Sequence, residues 1–273
     1  MSTNLLKGKK GIIFGALNDQ SIAWFVAQQA YAQGAQIVLT NAPVALRMGT
    51  IQDLSKLCGD APVIPADATK EEDLQNLFEK SMEHFGGQVD FVLHSIGMSP
   101  NVRKGRHYTD VNYQWYQQTL DISATSLHKT LATAMKLNAI SDWGSVVALT
   151  YIAAQRIFPD YGDMADAKSL LESITRSFGF HYGVKNKVRI NTVSQSPTVT
   201  TAGSGVKGFD AFINYAEEMS PLGNAGADAC ADYCLSLFSD LTRYVTMQNL
   251  YHDGGFSNTG VSRSVMEKFT TEE

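Results

Sequence analysis

A tyrosine and a lysine in the stretch DYGDMADAK, at positions 161 and 168, have side chains suited to reductive chemistry. A phenolic hydroxyl can donate a hydrogen bond to a developing oxyanion, and a lysine ammonium group can hold the ribose hydroxyls of a nucleotide. On one α-helix, side chains seven residues apart share a face, with Cα atoms roughly 10 Å apart. Tyr161 and Lys168 could therefore contact one extended ligand, although a packed tyrosine and a surface lysine would give the same pattern.

An alternation of short apolar runs and longer helical segments must position these residues. The pattern predicts seven strands, at residues 11–15, 36–40, 62–67, 90–95, 144–150, 188–194 and 249–255. Helices are predicted between them, including residues 21–34, a segment ending near 57, 112–138 and 161–182. The strands are nearly continuous apolar runs, which is typical of strands buried on both faces.

This pattern predicts an α/β fold: a Rossmann-type, doubly wound sheet of about seven parallel strands with helices on both faces. No repeat or linker interrupts the chain, so residues 1–273 are expected to form a single domain. A (β/α)₈ barrel shares the same alternation and stays an alternative.

The turn after the first strand, FGALNDQSIA, lies where an open sheet binds a dinucleotide pyrophosphate on the N–H groups of a helix N-terminus. The usual G-x-G-x-x-G pattern is absent, because only Gly15 is kept and Ser21 follows six residues later. The glycine permits a tight turn, and the serine hydroxyl can donate to a phosphate. A plain strand–loop–helix connection with Ser21 as the helix cap is an equally good interpretation.

The end of the second strand, LTNAP, bears on the choice of cofactor. No acidic residue is present there to bind the adenosine ribose hydroxyls, and no lysine or arginine follows at once to pair with a 2′-phosphate. Arg47 lies further along the chain. These features modestly favour NADH over NADPH.

Composition argues against several other function classes. The 273 residues are 44% hydrophobic with a net charge of −5, which suits one sizeable core but neither nucleic acid nor an acidic membrane surface. No apolar run approaches the roughly 18 residues of a membrane-spanning helix. The three cysteines indicate neither a disulfide framework nor a metal site. A reduced, cytoplasmic protein without a metal is expected.

Five motifs occur in order at the expected positions of such a sheet: GALNDQSIA, HSIG, ALTYIAAQRIFPDYGDMADAK, VRINTVSQSP and HDGGFS. Together they resemble the enoyl-[acyl-carrier-protein] reductases of bacterial type II fatty acid synthesis, a divergent family of the short-chain dehydrogenase/reductase superfamily. The resemblance covers residues 5–257. Its most specific motif is Tyr-x₆-Lys with a second tyrosine, Tyr151, ten residues upstream of Tyr161, whereas ordinary superfamily members have Tyr-x₃-Lys.

The resemblance implies roles for individual residues. The family's catalytic positions are matched by Tyr151, Tyr161 and Lys168. Its cofactor-binding positions are matched by Gly15, Ser21, Ile22, Asp67, Ala68, Ile96, Lys168, Thr198, Val199, Thr200, Thr201 and Ala202. On the substrate side it implies Ser99, Tyr151 and Tyr161. We also predict that Met164 and Phe209 line an apolar channel for the acyl chain, although Met164 would serve equally well as a core residue.

The reaction implied is reduction of a trans-2-enoyl-[acyl-carrier-protein] thioester to the saturated acyl thioester. Hydride passes from C4 of NADH, or of NADPH, to the β-carbon, and negative charge develops on the thioester oxygen. Tyr161 would stabilise this enolate while Lys168 holds the nicotinamide ribose. A short-chain carbonyl reductase and a non-catalytic dinucleotide sensor are the alternatives, and the missing Tyr-x₃-Lys argues against the first.

Residues 196–212 are rich in Gly, Thr and Ser and are predicted to form a substrate-binding loop that closes over the cofactor, although a plain surface connection would have the same composition. In the motif that leads into this loop, SQSP replaces the more usual SAGP. Gln195 and Ser196 should therefore alter a tight backbone passage.

The resemblance also implies a homotetramer, and a substrate whose acyl chain is attached to an acidic carrier protein. A carrier would need a local basic patch on a chain that is acidic overall. Arg103, Lys104 and Arg106 are candidates for this patch, although a charged surface turn explains them as well.

Overall fold

A computed structural model describes residues 4–199 and 209–270, and in these residues six parallel strands form one open sheet. The strands are β1 Lys10–Phe14, β2 Gln36–Thr40, β3 Val89–His94, β4 Ile140–Thr150, β5 Arg189–Gln195 and β6 Asn249–His252. Their order across the sheet is β2-β1-β3-β4-β5-β6. Every neighbouring pair is parallel, with Ile13 of β1 opposite Leu39 on one side and Leu93 on the other.

Helices connect the strands. They are α1 Ile22–Ala32, α2 Pro43–Leu46, α3 Ile51–Leu57, α4 Glu71–Phe85, α5 Pro100–Arg103, α6 Tyr113–Leu120, α7 Ser126–Lys136, α8 Asp163–Asn186, α9 Phe209–Met219, α10 Ala227–Phe238 and α11 Arg263–Glu267. Within the ranges that the structure describes, none of these helices is long and apolar enough to cross a membrane.

Alternate residues of β1 to β5 enter two hydrophobic cores, one on each face of the sheet. In β1, Ile13 belongs to one core, while Ile12 and Phe14 belong to the other; Leu93 and Val92 of β3 divide in the same way. Helices α1 and α10 complete the first core, and α4, α7 and α8 complete the second. Since both faces are covered, β1, β2 and β3 are mostly apolar, as is the second half of β4. The predicted doubly wound α/β fold is confirmed, and the open sheet edges at β2 and β6 exclude the barrel.

The strand predicted at residues 62–67 is wrong, because this segment does not extend the described sheet. Val63 forms only an isolated parallel bridge with Leu39 of β2. The Leu39 N–H donates to Pro62 O, and the Ile64 N–H donates to Leu39 O. The two prolines of this segment have no N–H to donate, which confines such a segment to a sheet edge. The described sheet therefore has six strands where about seven were predicted.

Two predicted helices are interrupted. The segment predicted at residues 112–138 divides into α6 and α7, with a wider π-helical turn at Asp121–Thr125 between them. The segment ending near residue 57 divides into α2 and α3. The π-helical turn brings Ser123 against the chain after β3, where the Met98 N–H donates to Ser123 Oγ at 2.9 Å. It thereby supports one wall of the site.

The strand order creates a crevice at the carboxyl ends of β1 and β3. The chain passes from β1 outward to β2 and then crosses back to β3 on the other side of β1, so the segments leaving these strands diverge. Ligands of open α/β sheets bind at such a switch point. The segments that follow β4 and β5 lie at the same edge and complete the site.

Candidate active site

A cavity of about 220 Å³ lies at the carboxyl ends of β3, β4 and β5. Eight of the residues predicted to act in catalysis or to bind cofactor or substrate line it: Ile22, Ile96, Ser99, Tyr151, Tyr161, Met164, Lys168 and Thr198. They come from the start of α1, from the connections after β3, β4 and β5, and from α8. The tertiary structure thus gathers the predicted catalytic residues with several of the predicted cofactor and substrate residues.

Tyr151 and Tyr161 contact each other in this cavity, with ring centroids 5.1 Å apart and ring planes at 54°. Phe158 packs on Tyr151 at a centroid separation of 5.2 Å. Burial raises the pKa of both tyrosine hydroxyls well above the ordinary value. Neither hydroxyl has a hydrogen-bond partner among the described residues. Both therefore keep their protons at neutral pH and can donate to a ligand oxygen.

Tyr161 does not lie on the same helix as Lys168, so the prediction of one helix through both residues is wrong. Tyr161 ends a 3₁₀ turn, Pro159–Tyr161, and Gly162 then adopts φ 52° and ψ −138° before α8 begins. Glycine reaches this conformation without strain because it has no Cβ. The two side chains meet the same cavity because the backbone turns at Gly162, not because of helical periodicity.

Lys168 is almost completely buried on α8, with 8% of its surface exposed. Its Nζ donates to Leu149 O at 2.8 Å. Burial lowers the pKa of Lys168 to about 8, and the negative charge of Glu172 acts in the opposite direction. At pH 7 the side chain is still mostly protonated. One ammonium proton is used by the carbonyl oxygen, which leaves the other two for the hydroxyls of a ligand.

Glu172 is a second buried charge of the site, and sequence reasoning missed it. It accepts hydrogen bonds from Thr150 Oγ1 and Gln155 Nε2, each at 3.0 Å. It lies one helical turn beyond Lys168, close enough for its charge to stabilise the ammonium group. The signal in the sequence was a lysine and a glutamate four residues apart on a segment already predicted to be helical.

Gly15 has the backbone role that its position in the first turn predicts. Its φ is +92°, and an added Cβ would lie 1.9 Å from Ser95 O, so only glycine lets these two segments approach. Ser21 occupies the predicted N-cap position of α1 with an extended backbone, but its side chain does not bond to an α1 N–H. The Ser21 hydroxyl instead donates to Asn18 O at 2.7 Å and accepts from Leu17 N at 3.3 Å, within the turn itself. Neither Gly15 nor Ser21 lines the cavity.

Asp67 and Ala68 lie away from the cavity, on the segment that runs beside the end of β2. Asp67 Oδ1 accepts hydrogen bonds from the N–H and the hydroxyl of Thr69, at 3.0 and 2.7 Å. The Asp67 N–H donates to Asp73 Oδ2 at 2.9 Å. The structure therefore does not bring these two residues to the catalytic side chains. They lie on the side of the crevice to which an adenosine would extend.

The predicted substrate-binding loop is described only in part. Thr198 lines the cavity, and Val199 is 60% exposed and does not. The remaining loop predictions, at Thr200, Thr201 and Ala202, lie outside the described residues, as does the side chain of Phe209. Phe212 of α9 lines the cavity and was missed from the sequence. An apolar residue on the helix that follows the predicted loop was the feature of the sequence that could have indicated it.

Gln195 and Ser196, which replace the usual alanine and glycine, bind a neighbouring segment through their side chains. Gln195 Nε2 donates to Ala225 O at 2.9 Å, and Gln195 Oε1 is 2.7 Å from His252 Nδ1, which fixes the amide orientation. The Ala225 N–H donates to Ser196 Oγ at 3.3 Å. The altered passage is therefore a junction between the end of β5, β6 and the residues before α10.

The crevice at the strand ends, the two partly buried tyrosines and the buried lysine define a dinucleotide-binding reductase of the α/β class. Within that class the sequence is more specific. The family model described as enoyl-(acyl carrier protein) reductase matches residues 15–257. The chain belongs to this family, which confirms the resemblance inferred from its motifs.

Solved structures and curated relatives agree with this assignment. The FabI–NADH complex from Alistipes finegoldii has a TM-score of 0.96 at 65% identity, covering 99% of this chain and 95% of that one. The enoyl-(acyl-carrier-protein) reductase of Anaplasma phagocytophilum in complex with NAD has a TM-score of 0.86 at 30% identity, covering 94% and 97%. The NADH-dependent FabI of Rickettsia bellii is 34% identical over 97% of this chain and 100% of its own length.

Proposed function

We propose that the protein reduces trans-2-enoyl-[acyl-carrier-protein] thioesters to saturated acyl thioesters with NADH, in the elongation cycle of fatty acid synthesis. The observation that carries the proposal is that two partly buried, protonated tyrosines and one buried lysine face a single cavity at the nucleotide crevice. The similar proteins support it, because they are named NADH-dependent enoyl-[acyl-carrier-protein] reductases or were solved with NADH or NAD.

The residues of the crevice fit a dinucleotide. Gly15 lets the turn after β1 lie directly against the segment after β3, at the place before α1 where a pyrophosphate binds in open sheets. Lys168 has two ammonium protons left to donate to ribose hydroxyls. When bound, NADH supplies the hydride. Lys168 orients the nicotinamide end, and the residues from Thr198 to Ala202 are proposed to contact it.

In this proposal Tyr161 provides the main stabilisation of the transition state. Its hydroxyl donates to the thioester oxygen while negative charge develops there, and burial strengthens that interaction by excluding water. An oxyanion donor of this kind is typically worth about 3–4 kcal/mol of the barrier. Tyr151 packs against the Tyr161 ring and borders the substrate side of the cavity.

The enoyl chain is proposed to bind against the apolar wall formed by Ile96, Val102, Met164 and Phe212. The flexible thioether of Met164 can adapt to chains of different length. Ser99 borders this wall, but its hydroxyl already donates to Asp163 at 2.6 Å and accepts from Val102 N at 3.0 Å. We therefore propose that Ser99 shapes the substrate wall rather than binding the thioester directly.

NADH is proposed as the preferred cofactor, with NADPH as the alternative. Asn41 and Ala42 follow β2, and the Asn41 side chain is used within the turn, donating to Ala16 O and accepting from Ala42 N at 2.9 Å each. Arg47 is exposed at the end of α2, one helix away from the strand. No cation therefore directly follows β2 to pair with a 2′-phosphate, which supports the preference.

We also propose that residues 1–273 act as one domain in a cytoplasmic homotetramer that binds neither nucleic acid nor membranes. Phe180 and Val184 support the assembly, because they lie one turn apart on α8 and are 57% and 67% exposed. An exposed apolar pair on a helix favours coverage by a second copy. Light scattering on the purified protein should give the mass of four chains, and a monomer at micromolar concentration would contradict the assembly.

The first test mixes the purified protein with crotonyl-CoA, or with crotonyl carrier protein, and follows the absorbance of NADH and, separately, of NADPH. We expect consumption that depends on the enoyl thioester and is faster with NADH. Tyr161→Phe should lower kcat at least tenfold without weakening NADH binding, because it removes only the oxyanion donor.

Tyr108→Phe is the matched control, since this hydroxyl donates to Asp166 outside the cavity, and it should leave the rate unchanged. A protein that binds NADH but consumes neither cofactor would refute the reductase and favour the sensor. Turnover of a β-ketoacyl thioester, without turnover of the enoyl thioester, would instead favour the carbonyl reductase.

A further inference from the structure

Asp163, the first residue of α8, is a completely buried carboxylate beside the site, and the proposed reaction assigns it no role. Its Oδ1 accepts a hydrogen bond from Ser99 Oγ at 2.6 Å. Its Oδ2 accepts from Asn101 Nδ2 at 2.8 Å and from Thr119 Oγ1 at 2.9 Å. All three donors are neutral, and among the described residues no cation pairs with Asp163.

A buried carboxylate without a counter-ion is costly, so its retention requires compensation. Here the compensation comes from three side-chain donors and from the N-terminal end of α8, where the helix dipole favours negative charge. Neither solubility nor the start of a helix requires a buried carboxylate with three side-chain donors. The geometry therefore suggests that the connections made by Asp163, more than its charge, are what it contributes.

These connections join the two sides of the catalytic cavity. Ser99 precedes α5 and holds its first turn, because Ser99 Oγ also accepts from Val102 N. Ser99 and Val102 both line the cavity. Asp163 itself begins the helix that follows Gly162, two residues after Tyr161. One carboxylate thus links the α5 wall to the turn that carries the tyrosine.

The same carboxylate reaches α6. Thr119 lies in the last turn of α6, and its hydroxyl is shared between Trp115 O and Asp163 Oδ2. Asn101 also accepts from the N–H of Asn112, the residue that caps the start of α6. Two helices, α5 and α6, therefore converge on one side chain of α8, and a shift of either would be transmitted to the turn that carries Tyr161.

We propose that Asp163 is a positioning residue for the reduction: it fixes the α5 wall relative to Tyr161, and so holds the thioester oxygen within reach of the phenolic hydroxyl. The inference rests on the proposed function. Tyr161 sits on a short 3₁₀ turn followed by a glycine, so the chain next to it supplies little rigidity without an anchor. A misplacement of about 1 Å can reduce a rate by about 100-fold.

The test compares two Asp→Asn variants in the first turn of α8. Asp163→Asn keeps the side-chain shape but replaces an acceptor oxygen with an N–H₂ group that faces other donors. We expect kcat/KM for a trans-2-enoyl thioester to fall about 10- to 100-fold, chiefly through kcat, with the Kd for NADH unchanged. Asp166→Asn is the matched control, because Asp166 accepts from the Tyr108 and Tyr116 hydroxyls outside the cavity. It should retain the wild-type kinetics.

A folded Asp163→Asn protein with wild-type kcat/KM would overturn the inference, as would equal losses in the two variants or a parallel loss of NADH affinity. If Asp163→Asn does not fold, Ser99→Ala decides, because it removes the shorter of the two bonds that join the α5 segment to Asp163, together with the Ser99 bond to Val102 N, and leaves Asp163 itself in place. We expect a loss of about fivefold in kcat/KM with NADH binding unchanged, and unchanged kinetics would overturn the inference. Wild-type protein that binds NADH without reducing any enoyl thioester would refute the proposed function instead.

Discussion

Burial acts in opposite directions on the three side chains assigned to the chemistry. It raises the pKa of the Tyr151 and Tyr161 hydroxyls, so both keep their protons to higher pH. It lowers the pKa of Lys168 to about 8, so this side chain loses its charge not far above neutral pH. Of these three residues, only Lys168 changes its charge near physiological pH. The pH response of cofactor binding should therefore report on Lys168.

NADH affinity is expected to fall as the pH rises through about 8, because neutral Lys168 binds ribose hydroxyls less strongly. Fluorescence titrations on both sides of that pH would measure it. Lys168→Arg should remove this dependence, since a guanidinium keeps its charge. A pH dependence that persists in Lys168→Arg would show that another group causes it.

The lowered pKa of Lys168 also affects the stability of the fold. Burial disfavours the protonated side chain in the folded protein, so the contribution of Lys168 makes stability increase with pH, from about pH 8 up to the pKa that Lys168 has in the unfolded chain.

The same titration tests the role of Glu172. Its negative charge raises the pKa of Lys168, so Glu172→Gln should move the fall in NADH affinity to lower pH. Glutamine keeps a carbonyl oxygen that can accept from Thr150 Oγ1, which limits the structural change. Asp166→Asn, a charge removal elsewhere on α8, should leave the pH dependence in place. An unshifted profile in Glu172→Gln would show that its charge does not reach the ammonium group.

Among the elements, the break between the 3₁₀ turn and α8 has the most direct bearing on the site. Gly162 adopts a backbone conformation that L-residues rarely reach, and an added Cβ would lie 3.3 Å from Val102 Cγ2. The chain therefore changes direction between Tyr161 and Asp163, the residue that anchors α8. The connection presents the tyrosine hydroxyl to the cavity while Lys168 stays on the helix.

Gly162→Ala should destabilise the protein by about 1–3 kcal/mol and lower kcat, because backbone strain would be relieved by moving Tyr161. Thermal unfolding and steady-state kinetics would measure both effects. Gly183→Ala in the interior of α8 is the matched control, since its Cβ would meet only Val188 O at 3.8 Å. It should be neutral or stabilising, because alanine favours helix. Unchanged stability and kcat in Gly162→Ala would show that the break tolerates a side chain.

Over the whole molecule, the charges around the cavity are unevenly distributed. Arg103 lines the cavity, and Lys104 is exposed on the turn after α5. Across the cavity, α9 carries exposed Glu217 and Glu218, the latter paired with Lys268. An acidic carrier protein would therefore be attracted to the α5 side and repelled from the described part of α9.

Lys104→Glu should raise KM for an enoyl carrier protein several-fold and leave kinetics with the same acyl group on N-acetylcysteamine unchanged, because only the carrier is charged. The comparison uses the same acyl chain on the carrier protein and on N-acetylcysteamine, at low and at moderate salt. Lys80→Glu on the exposed side of α4 is the control for net charge. Equal effects of the two substitutions, or an equal effect on both substrates, would contradict docking at the α5 turn.

The sequence by itself determined the fold class, the order of the main elements, the family and the identity of the tyrosines and the lysine. These features are encoded locally: continuous apolar runs indicate strands covered on both faces, and Gly15 marks a turn that only glycine can form. The helix through Tyr161 and Lys168 was wrong because Gly162 interrupts the periodicity. The strand at residues 62–67 was wrong because its prolines limit it to a single bridge.

Only the tertiary structure decided which polar groups meet. Ser99 and Asp163 are 64 residues apart, and their hydrogen bond converts a predicted substrate contact into part of a buried anchor. Thr150 and Glu172 are joined across 22 residues, beside a lysine whose pKa depends on both burial and that carboxylate. Short-range patterns carry no information about such pairings, because burial and hydrogen-bond partners arise only when distant segments pack against one another.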